Sequence, residues 1–312
     1  MPTAIEPVAG RVMSRVRIAS LKPSPSAPSR CSAGTAQSVK WRATVGEITV
    51  SVVGSKNPNW FDTHQIPKNA AYAIPDEAAT RLMTASLDVT DPTAATRVVS
   101  DAVDHFGRID VLVNNAGYGL ITAFEEMSPE QIHQQFATNV YGVMNVTRAV
   151  LPVMRRQRSG HLFTIASMGG YLGGSRGTAY AASKFAVAGF TESLALELEE
   201  FGITATIVGP GYFRTDFLDK SSAILEPATL IEDYRASNAA FRAATETANH
   251  AQQGDPNALG RLLVEIAAER KPPLHLPVGA DAVQLVEQHH NSVLNDIKAW
   301  RAKSSNTAFN AG

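Results

Sequence analysis

The chain of 312 residues is poor in cysteine and in long apolar runs. It contains one cysteine, Cys31. A single cysteine excludes an internal disulfide framework and a zinc site built from several cysteines. The histidines show no spacing typical of a metal site. The longest uncharged stretch, residues 159–175, is rich in glycine and serine and is shorter than the roughly 18–20 apolar residues of a membrane span. We therefore expect a soluble protein without a membrane partner.

Charged residues are also scarce, at 18% of the chain, and they are unevenly distributed. The 44% of hydrophobic residues excludes a wholly disordered protein. Residues 1–42 carry seven basic side chains and one acidic side chain, whereas the other 270 residues have a net charge of −7. This acidic body argues against a nucleic-acid partner. We expect a cytoplasmic location, with an Arg- and Ser-rich mitochondrial transit peptide in residues 1–42 as the less favoured alternative.

From about Thr80 onward, strand and helix patterns alternate regularly along the chain. Strands are predicted at residues 82–87, 109–113, 161–166, 203–208 and 274–278. Helices are predicted from Pro92 and over residues 129–156, 179–200, 255–269 and 280–300. This alternation is typical of a doubly wound, mostly parallel sheet. We therefore predict one α/β, Rossmann-like domain over residues 80–312, preceded by an atypical basic segment over residues 1–79.

Residues 214–253 form an insertion in this pattern, rich in alanine, serine and acidic residues. Its apolar side chains are scattered, with Phe217, Leu225, Tyr234 and Phe241 among them. An apolar, mobile insertion beside a binding edge is typical of a substrate lid. We call residues 214–253 the lid.

Chemically capable polar residues occur at strand ends and along one helix. Tyr180 and Lys184 are one helical turn apart, which places a phenol and an ammonium on the same face. A nearby cation favours the phenolate, so Lys184 can lower the pKa of Tyr180 from its usual value of ~10. Ser167 follows a predicted strand, and Asn139 interrupts an otherwise apolar helix in which an amide is unfavourable. Each residue alone is more often a surface or capping residue, but the set in this order is specific.

In these motifs the sequence resembles the short-chain dehydrogenase/reductase family. The matching motifs are Leu87-Asp-Val-Thr90, Asn114-Asn-Ala-Gly117, Asn139, Ser167, Tyr180-Ala-Ala-Ser-Lys184 and Pro210-Gly-Tyr-Phe-Arg-Thr215. The segment from Pro272 to Gly279 is similar to the subgroup labelled 17β-hydroxysteroid-dehydrogenase-like, a label that fixes no substrate.

The resemblance implies a catalytic set made of four residues. Tyr180 would be the general acid or base, and Lys184 would lower its pKa and bind the nicotinamide ribose. Ser167 would hold the substrate oxygen, and Asn139 would kink its helix and hold a proton-relaying water. The implied cofactor contacts are Asp88, Val89, Asn115, Ala116, Gly117, Tyr180, Lys184, Pro210, Gly211, Phe213 and Thr215.

The implied activity is hydride transfer between a nicotinamide cofactor and a small apolar carbonyl compound or secondary alcohol. The resemblance to the subgroup favours NADP(H) as the cofactor, and NAD(H) is the other possibility. Family members pair through the outer faces of the long helix and the tyrosine-bearing helix, so we expect a homodimer or homotetramer. No metal is implied.

One family feature is missing from the N-terminal segment. The family's T-G-x-x-x-G-x-G turn brings backbone N–H groups and a helix N-terminus to the pyrophosphate. Residues 1–84 contain only four widely spaced glycines, Gly10, Gly34, Gly46 and Gly54. Weak cofactor binding is therefore expected, and a non-catalytic or defective family member is the alternative to an active enzyme.

Three explanations of this segment stay open. The first is an out-of-frame or intron-derived translation, which the abrupt change in composition near Thr80 favours. The second is the transit peptide, which would leave residues 43–79 still without the turn. The third is a divergent fold in which residues 16–19 and 48–53 serve as strands.

Overall fold

The computed structural model describes residues 14–20, 50–54, 82–220 and 222–309. Cys31, most of the basic segment and three of its four glycines lie outside the described residues. Within the described part of the chain, no helix has both the length and the apolar character needed to cross a bilayer.

The strands and helices alternate along the described chain. The strands are β1 Ser14–Ser20, β2 Val50–Gly54, β3 Leu82–Leu87, β4 Val111–Asn114, β5 Gly119–Leu120, β6 Gly160–Ile165, β7 Ile203–Pro210, β8 Ala223–Ile224 and β9 His275–Val278. The α-helices are α1 Pro92–Phe106, α2 Pro129–Phe136, α3 Gly142–Gln157, α4 Thr178–Leu198, α5 Arg235–Ala248, α6 Pro256–Ala268 and α7 Ala280–Ser304.

Seven of the described strands form one sheet in the order β3-β1-β2-β4-β6-β7-β9. Strands β4, β6, β7 and β9 are parallel to one another, which confirms the mostly parallel α/β fold. The two strands predicted near the N-terminus are present as β1 and β2, but they run antiparallel to their neighbours β3 and β4. The carboxyl ends of β3, β4, β6, β7 and β9 therefore share one edge, which we call the carboxyl edge, and β1 and β2 begin there.

The sheet is covered by helices on both faces, as a doubly wound fold requires. Leu112 of β4 is completely buried in a core that includes residues of α1 and α3. Its neighbours Val111 and Val113 point to the other face and pack in a cluster with Leu263 of α6. Burial on both faces explains why this strand is a continuous apolar run.

Two helical regions differ from the sequence prediction. The helix predicted over residues 129–156 is interrupted by a π-helical turn at Ala137–Tyr141, and Asn139 lies at its centre. The lid contains the 14-residue helix α5, which the scattered apolar residues did not predict. Helix α5 is hard to recognise because Asn238 is its single fully buried residue, so it has no apolar stripe of the usual kind.

We expect Leu112→Ala to lower the free energy of unfolding by about 2–5 kcal/mol, because it leaves a cavity in the core between the central strand β4 and the helices that cover it. Leu294→Ala is the matched control, since Leu294 is 50% exposed on α7 and its truncation should change stability by less than about 0.5 kcal/mol. Urea unfolding of both variants measures the difference. Equal losses in the two variants would contradict the described core.

Candidate active site

Tyr180 and Lys184 lie in the first two turns of α4, beside the carboxyl end of β6. Lys184 is 5% exposed, and its Nζ donates a hydrogen bond to the carbonyl oxygen of Ile165 at 2.8 Å. The same Nζ lies 5.7 Å from the centre of the Tyr180 ring. The hydroxyl group of Ser167, two residues beyond β6, lies close enough to Tyr180 to lower the pKa of its phenol. The structure thus brings the phenol, the ammonium and the hydroxyl group together.

Asn139 lies behind these residues and is 1% exposed. Its Oδ1 accepts a hydrogen bond from the backbone N–H of Tyr118 at 3.0 Å. Its Nδ2 donates to the carbonyl oxygen of Tyr118 at 3.0 Å and to the Ser183 hydroxyl at 3.1 Å. Protein groups therefore use both N–H donors of the side-chain amide and one lone pair of its oxygen.

Gln135 is a positioning residue that the sequence reasoning missed. It is completely buried, one helical turn before Asn139. Its Nε2 donates to the carbonyl oxygen of Tyr118 at 2.8 Å, and its Oε1 accepts from the N–H of Leu120 at 2.7 Å. Two amide side chains four residues apart on one helix therefore fix the loop after β4. That spacing was the available signal, because buried amides need partners.

The loop after β4 carries three of the predicted cofactor contacts. Asn115 is half-buried and Ala116 is buried, directly beyond the end of the strand. A Cβ atom on Gly117 would lie 3.1 Å from Oδ1 of Asn139 and 3.4 Å from Nζ of Lys184. The absent side chain at Gly117 therefore lets the loop approach the catalytic set closely.

Asp88 and Val89 follow β3, on the far side of β1 and β2. Oδ1 of Asp88 accepts hydrogen bonds from the N–H and the hydroxyl group of Thr90, at 2.9 and 2.7 Å. The Val89 side chain is buried against α3, where a Cβ on Gly142 would come within 2.5 Å of it. These two residues are at the carboxyl edge, but they are not part of the cluster around Tyr180.

The loop after β7 carries the remaining predicted contacts, Pro210, Gly211, Phe213 and Thr215. Asp281 in the first turn of α7 fixes this loop, because its Oδ2 accepts a hydrogen bond from the N–H of Tyr212 at 2.7 Å. A Cβ on Gly211 would lie 2.3 Å from the Asp281 carboxylate. Gly211 is therefore required where the backbone turns against α7, a contact that the sequence did not indicate.

The two halves of the implied site differ in how well their residues fit a dinucleotide. On the side implied for the nicotinamide, Gly117 closely approaches Lys184 and Asn139, as the resemblance implies. On the pyrophosphate side, β1 and β2 begin at the carboxyl edge, and Val50 pairs with Asn114 there. The described carboxyl ends of β1 and β2, at Ser20 and Gly54, lie at the opposite edge of the sheet.

Burial controls the protonation of both catalytic groups. Burial raises the pKa of Tyr180 to about 12, and the hydrogen bond with Ser167 offsets part of that rise. Burial also lowers the pKa of Lys184 to about 8. In the protein alone, the shift of Tyr180 is thus opposite to the lowering expected from Lys184, because desolvation outweighs an ammonium 5.7 Å away.

The lid covers the site through one aromatic contact and one short sheet. The ring of Phe217 lies 5.6 Å from the ring of Tyr180, centre to centre. Strand β8 of the lid pairs in parallel with β5, so that Gly119 faces Ala223 and Leu120 faces Ile224. The loop after β4 and the lid together therefore form the wall above the catalytic tyrosine.

Comparison with known proteins agrees with this geometry. The family model of short chain dehydrogenases matches residues 60–226. Oxidoreductase BOA17 of Botryotinia fuckeliana is 35% identical over 72% of this chain and 81% of its own length. A 3-ketodihydrosphingosine reductase of Bacteroides thetaiotaomicron is 37% identical over 66% of this chain and 76% of its own length. The crystal structure of a short-chain dehydrogenase from Streptomyces avermitilis has a TM-score of 0.65 and 36% identity, covering 72% of this chain and 80% of that chain.

The fold and the relatives are those of an α/β oxidoreductase. The chain belongs to the short chain dehydrogenase family. It is of the NAD(P)-dependent class that acts on CH–OH and C=O groups.

The burial of Lys184 predicts a specific dependence of stability on pH. Its pKa is about 8 in the folded chain and 10.5 as the ordinary value, so the unfolded chain binds more protons between these values. The Lys184 contribution to the free energy of unfolding should therefore rise with pH from about pH 7 to about pH 10, by at most about 3 kcal/mol. Urea unfolding of the parent chain and Lys184→Met over that range measures it.

Lys298→Met is the control for this measurement, because Lys298 is exposed on α7. The difference between this variant and the parent should not change with pH. If Lys184→Met behaved in the same way as the control, the buried ammonium would not be desolvated as described.

Proposed function

We propose that this chain reduces an apolar ketone or aldehyde to the alcohol, with Tyr180 as the proton donor. The observation that carries the proposal is the arrangement of Tyr180, Ser167 and Lys184 at the carboxyl edge beneath the lid. Hydrogen-bond contact of a phenol with a hydroxyl group, next to a buried ammonium, is suited to stabilising negative charge on a substrate oxygen.

Each residue has a defined part in this proposal. A reduced nicotinamide, when bound, would supply the hydride for the carbonyl carbon. Tyr180 donates its proton to the carbonyl oxygen, and the Ser167 hydroxyl donates a hydrogen bond to the same oxygen as charge develops there. Lys184 provides positive charge beside the resulting phenolate. Asn139, held by the backbone of Tyr118, keeps the loop of Gly117 against Lys184.

The protonation of Tyr180 suits it to the role of the acid. With a pKa of about 12, its side chain is a phenol near neutral pH and can donate a proton without further change. In alcohol oxidation the same side chain would be the base, as the phenolate, which a bound positive charge favours.

The lid supports an apolar substrate. Ile224 of the lid packs in a small cluster with Leu120 and Met127, and Phe217 lies over Tyr180. A long-chain ketone is one candidate substrate, because a relative is named as a 3-ketodihydrosphingosine reductase. We also propose a homodimer or homotetramer, supported by exposed Phe185 and Leu196 on the outer face of α4.

The cofactor is proposed to be NADP(H), with NAD(H) as the other possibility. Residues 1–79 are proposed to replace the usual first strand-helix-strand unit, in front of a dehydrogenase domain over residues 80–312 in a cytoplasmic protein. The direction of β1 and β2 removes the usual pyrophosphate turn from the carboxyl edge. The same observation favours the second candidate function, a non-catalytic or defective member of the family with impaired cofactor binding.

We expect the purified chain to bind NADPH and NADH more weakly than the micromolar range, because the pyrophosphate lacks its backbone donors. Titration followed by cofactor fluorescence measures both affinities. Micromolar affinity for either cofactor would contradict the expectation of an impaired site.

We expect Tyr180→Phe to lower kcat/KM for carbonyl reduction by about 10²–10⁴-fold, because it removes the proton donor. Tyr141→Phe is the matched control, since Tyr141 is 54% exposed and has no part in the proposed chemistry. The assay follows NADPH oxidation at millimolar cofactor with cyclohexanone, decanal and 3-ketodihydrosphingosine as probes. Absence of turnover by the parent chain with all probes would support the non-catalytic alternative.

A further inference from the structure

Glu126 is a buried carboxylate outside the catalytic set, in the loop between β5 and α2. It is 0% exposed, and its Oε2 accepts a long hydrogen bond from the Thr122 hydroxyl group of the same loop at 3.5 Å. Oε1 accepts a hydrogen bond from the backbone N–H of Ile231 at 3.1 Å, and Oε2 accepts one from Nδ2 of Asn238 at 2.6 Å. Burial opposes the charge of Glu126, but the hydrogen bonds from Ile231, Asn238 and Thr122, together with the positive charge of Arg176, outweigh it and hold the pKa of the carboxyl group below its usual value.

Arg176 fixes the direction of this hydrogen bonding. Its Nε donates to Oδ1 of Asn238 at 3.0 Å, so the amide of Asn238 must present its NH₂ group to Glu126. The N–H of Ile231 is also a donor, so both oxygens of Glu126 must act as acceptors. A carboxylate meets this requirement, whereas an amide nitrogen in place of either oxygen would face the N–H of Ile231 or the NH₂ group of Asn238.

The backbone of Glu126 binds the lid as well. Its carbonyl oxygen accepts hydrogen bonds from the N–H groups of Ala228 at 2.9 Å and Thr229 at 3.3 Å. Glu126 thus holds the lid in two ways. Its carbonyl oxygen binds the backbone of Ala228 and Thr229, and its side-chain oxygens bind Ile231 and Asn238. No other described acidic residue is completely buried against the lid in this way.

The same contacts reach the catalytic helix. Arg176 lies four residues before Tyr180, and its guanidinium also donates to the hydroxyl group of Ser237 in the lid at 2.7 Å. Closer to the start of the lid, Phe217 lies over Tyr180. The loop of Glu126, the lid and the segment before Tyr180 are therefore joined at one buried point.

We propose that Glu126 is a positioning residue that fastens the lid over Tyr180 and thereby sets the affinity for apolar substrates. The part that concerns substrates rests on the proposed function. The part that concerns the lid rests on the contacts of Glu126 alone. Because substrate affinity and proton transfer depend on different groups, loss of the contact should raise KM with little change in kcat.

Glu126→Gln tests the contact with almost no change of volume. The new amide would turn its NH₂ group toward Ile231 N–H or toward the Asn238 NH₂ group. The double variant Glu126→Gln/Asn238→Asp should restore the contact, because the new amide would accept from Ile231 and donate to the new carboxylate. The second oxygen of that carboxylate would still accept from Arg176. Glu246→Gln, exposed on α5, is the control for loss of one acidic charge in the lid.

Hydrogen exchange followed by mass spectrometry gives the structural result without substrate or cofactor. In Glu126→Gln we expect exchange at least about tenfold faster in peptides covering residues 226–241 and 212–220. The double variant and Glu246→Gln should exchange like the parent, and α1 should be unchanged in all of them. Unchanged lid exchange in Glu126→Gln, or a double variant that exchanges as fast as the single one, would overturn the proposal.

Steady-state kinetics with decanal and with cyclohexanone give the functional result. In Glu126→Gln we expect KM for decanal to rise about tenfold, with kcat changed less than about twofold and NADPH affinity unchanged. Restoration of KM in the double variant separates positioning from general destabilisation. Faster lid exchange with an unchanged KM for decanal would overturn the positioning role.

Two further outcomes remain decisive. If the parent chain turns over no probe, the proposed function fails, and exchange of residues 212–220, which carry Phe217, decides the lid proposal by itself. If Glu126→Gln does not fold, Asn238→Ala removes the same hydrogen bond from the side of the lid. Faster exchange around residue 231 in that variant supports the proposal, and parent-like exchange overturns it.

Discussion

The architecture of the site depends on the need of buried polar side chains for hydrogen-bond partners. Gln135 and Asn139 direct their amides to the backbone of Tyr118 and Leu120, and Lys184 directs its ammonium to the carbonyl oxygen of Ile165. Loop backbone left unpaired in such a place would destabilise the fold. The same hydrogen bonds that satisfy the loop therefore fix the catalytic groups relative to one another.

This constraint also explains the π-helical turn. A regular helix from residue 129 to 156 would place Asn139 where its amide competes with the helix backbone, which makes the residue unfavourable. In the structure the helix widens at Ala137–Tyr141, and the side chain binds both the N–H and the carbonyl oxygen of Tyr118. The cost of the irregular turn is thus offset by pairing of the loop that carries Gly117.

Much of the fold could be predicted from local pattern. The apolar run of β4 and the one-turn spacing of Tyr180 and Lys184 depend on strand and helix periodicity, which are local properties. The directions of β1 and β2 could not be predicted, because a strand pattern is the same when read in either direction. Gln135 and Glu126 were missed because their partners lie 15 to 112 positions away, in segments without a recognisable pattern.

Because β1 and β2 run antiparallel to β3 and β4, the arrangement of the proposed catalytic residues does not establish that the whole cofactor site is complete. Positions at the carboxyl ends of β4, β6 and β7 are fixed relative to one another by parallel pairing among those strands, and β2 adds an antiparallel neighbour to β4 alone. The nicotinamide half of the site can therefore be complete while the pyrophosphate half is not.

Catalysis and cofactor affinity thus depend on separate parts of the sheet. Desolvation sets the protonation of the catalytic part, because it raises the pKa of Tyr180 and lowers that of Lys184. Lys184 is buried against the carbonyl oxygen of Ile165, at the end of β6, so its desolvation comes from the body of the domain. The position of the lid, fixed at Glu126, therefore bears on the fit of an apolar substrate, whereas proton transfer depends on Tyr180, Ser167 and Lys184.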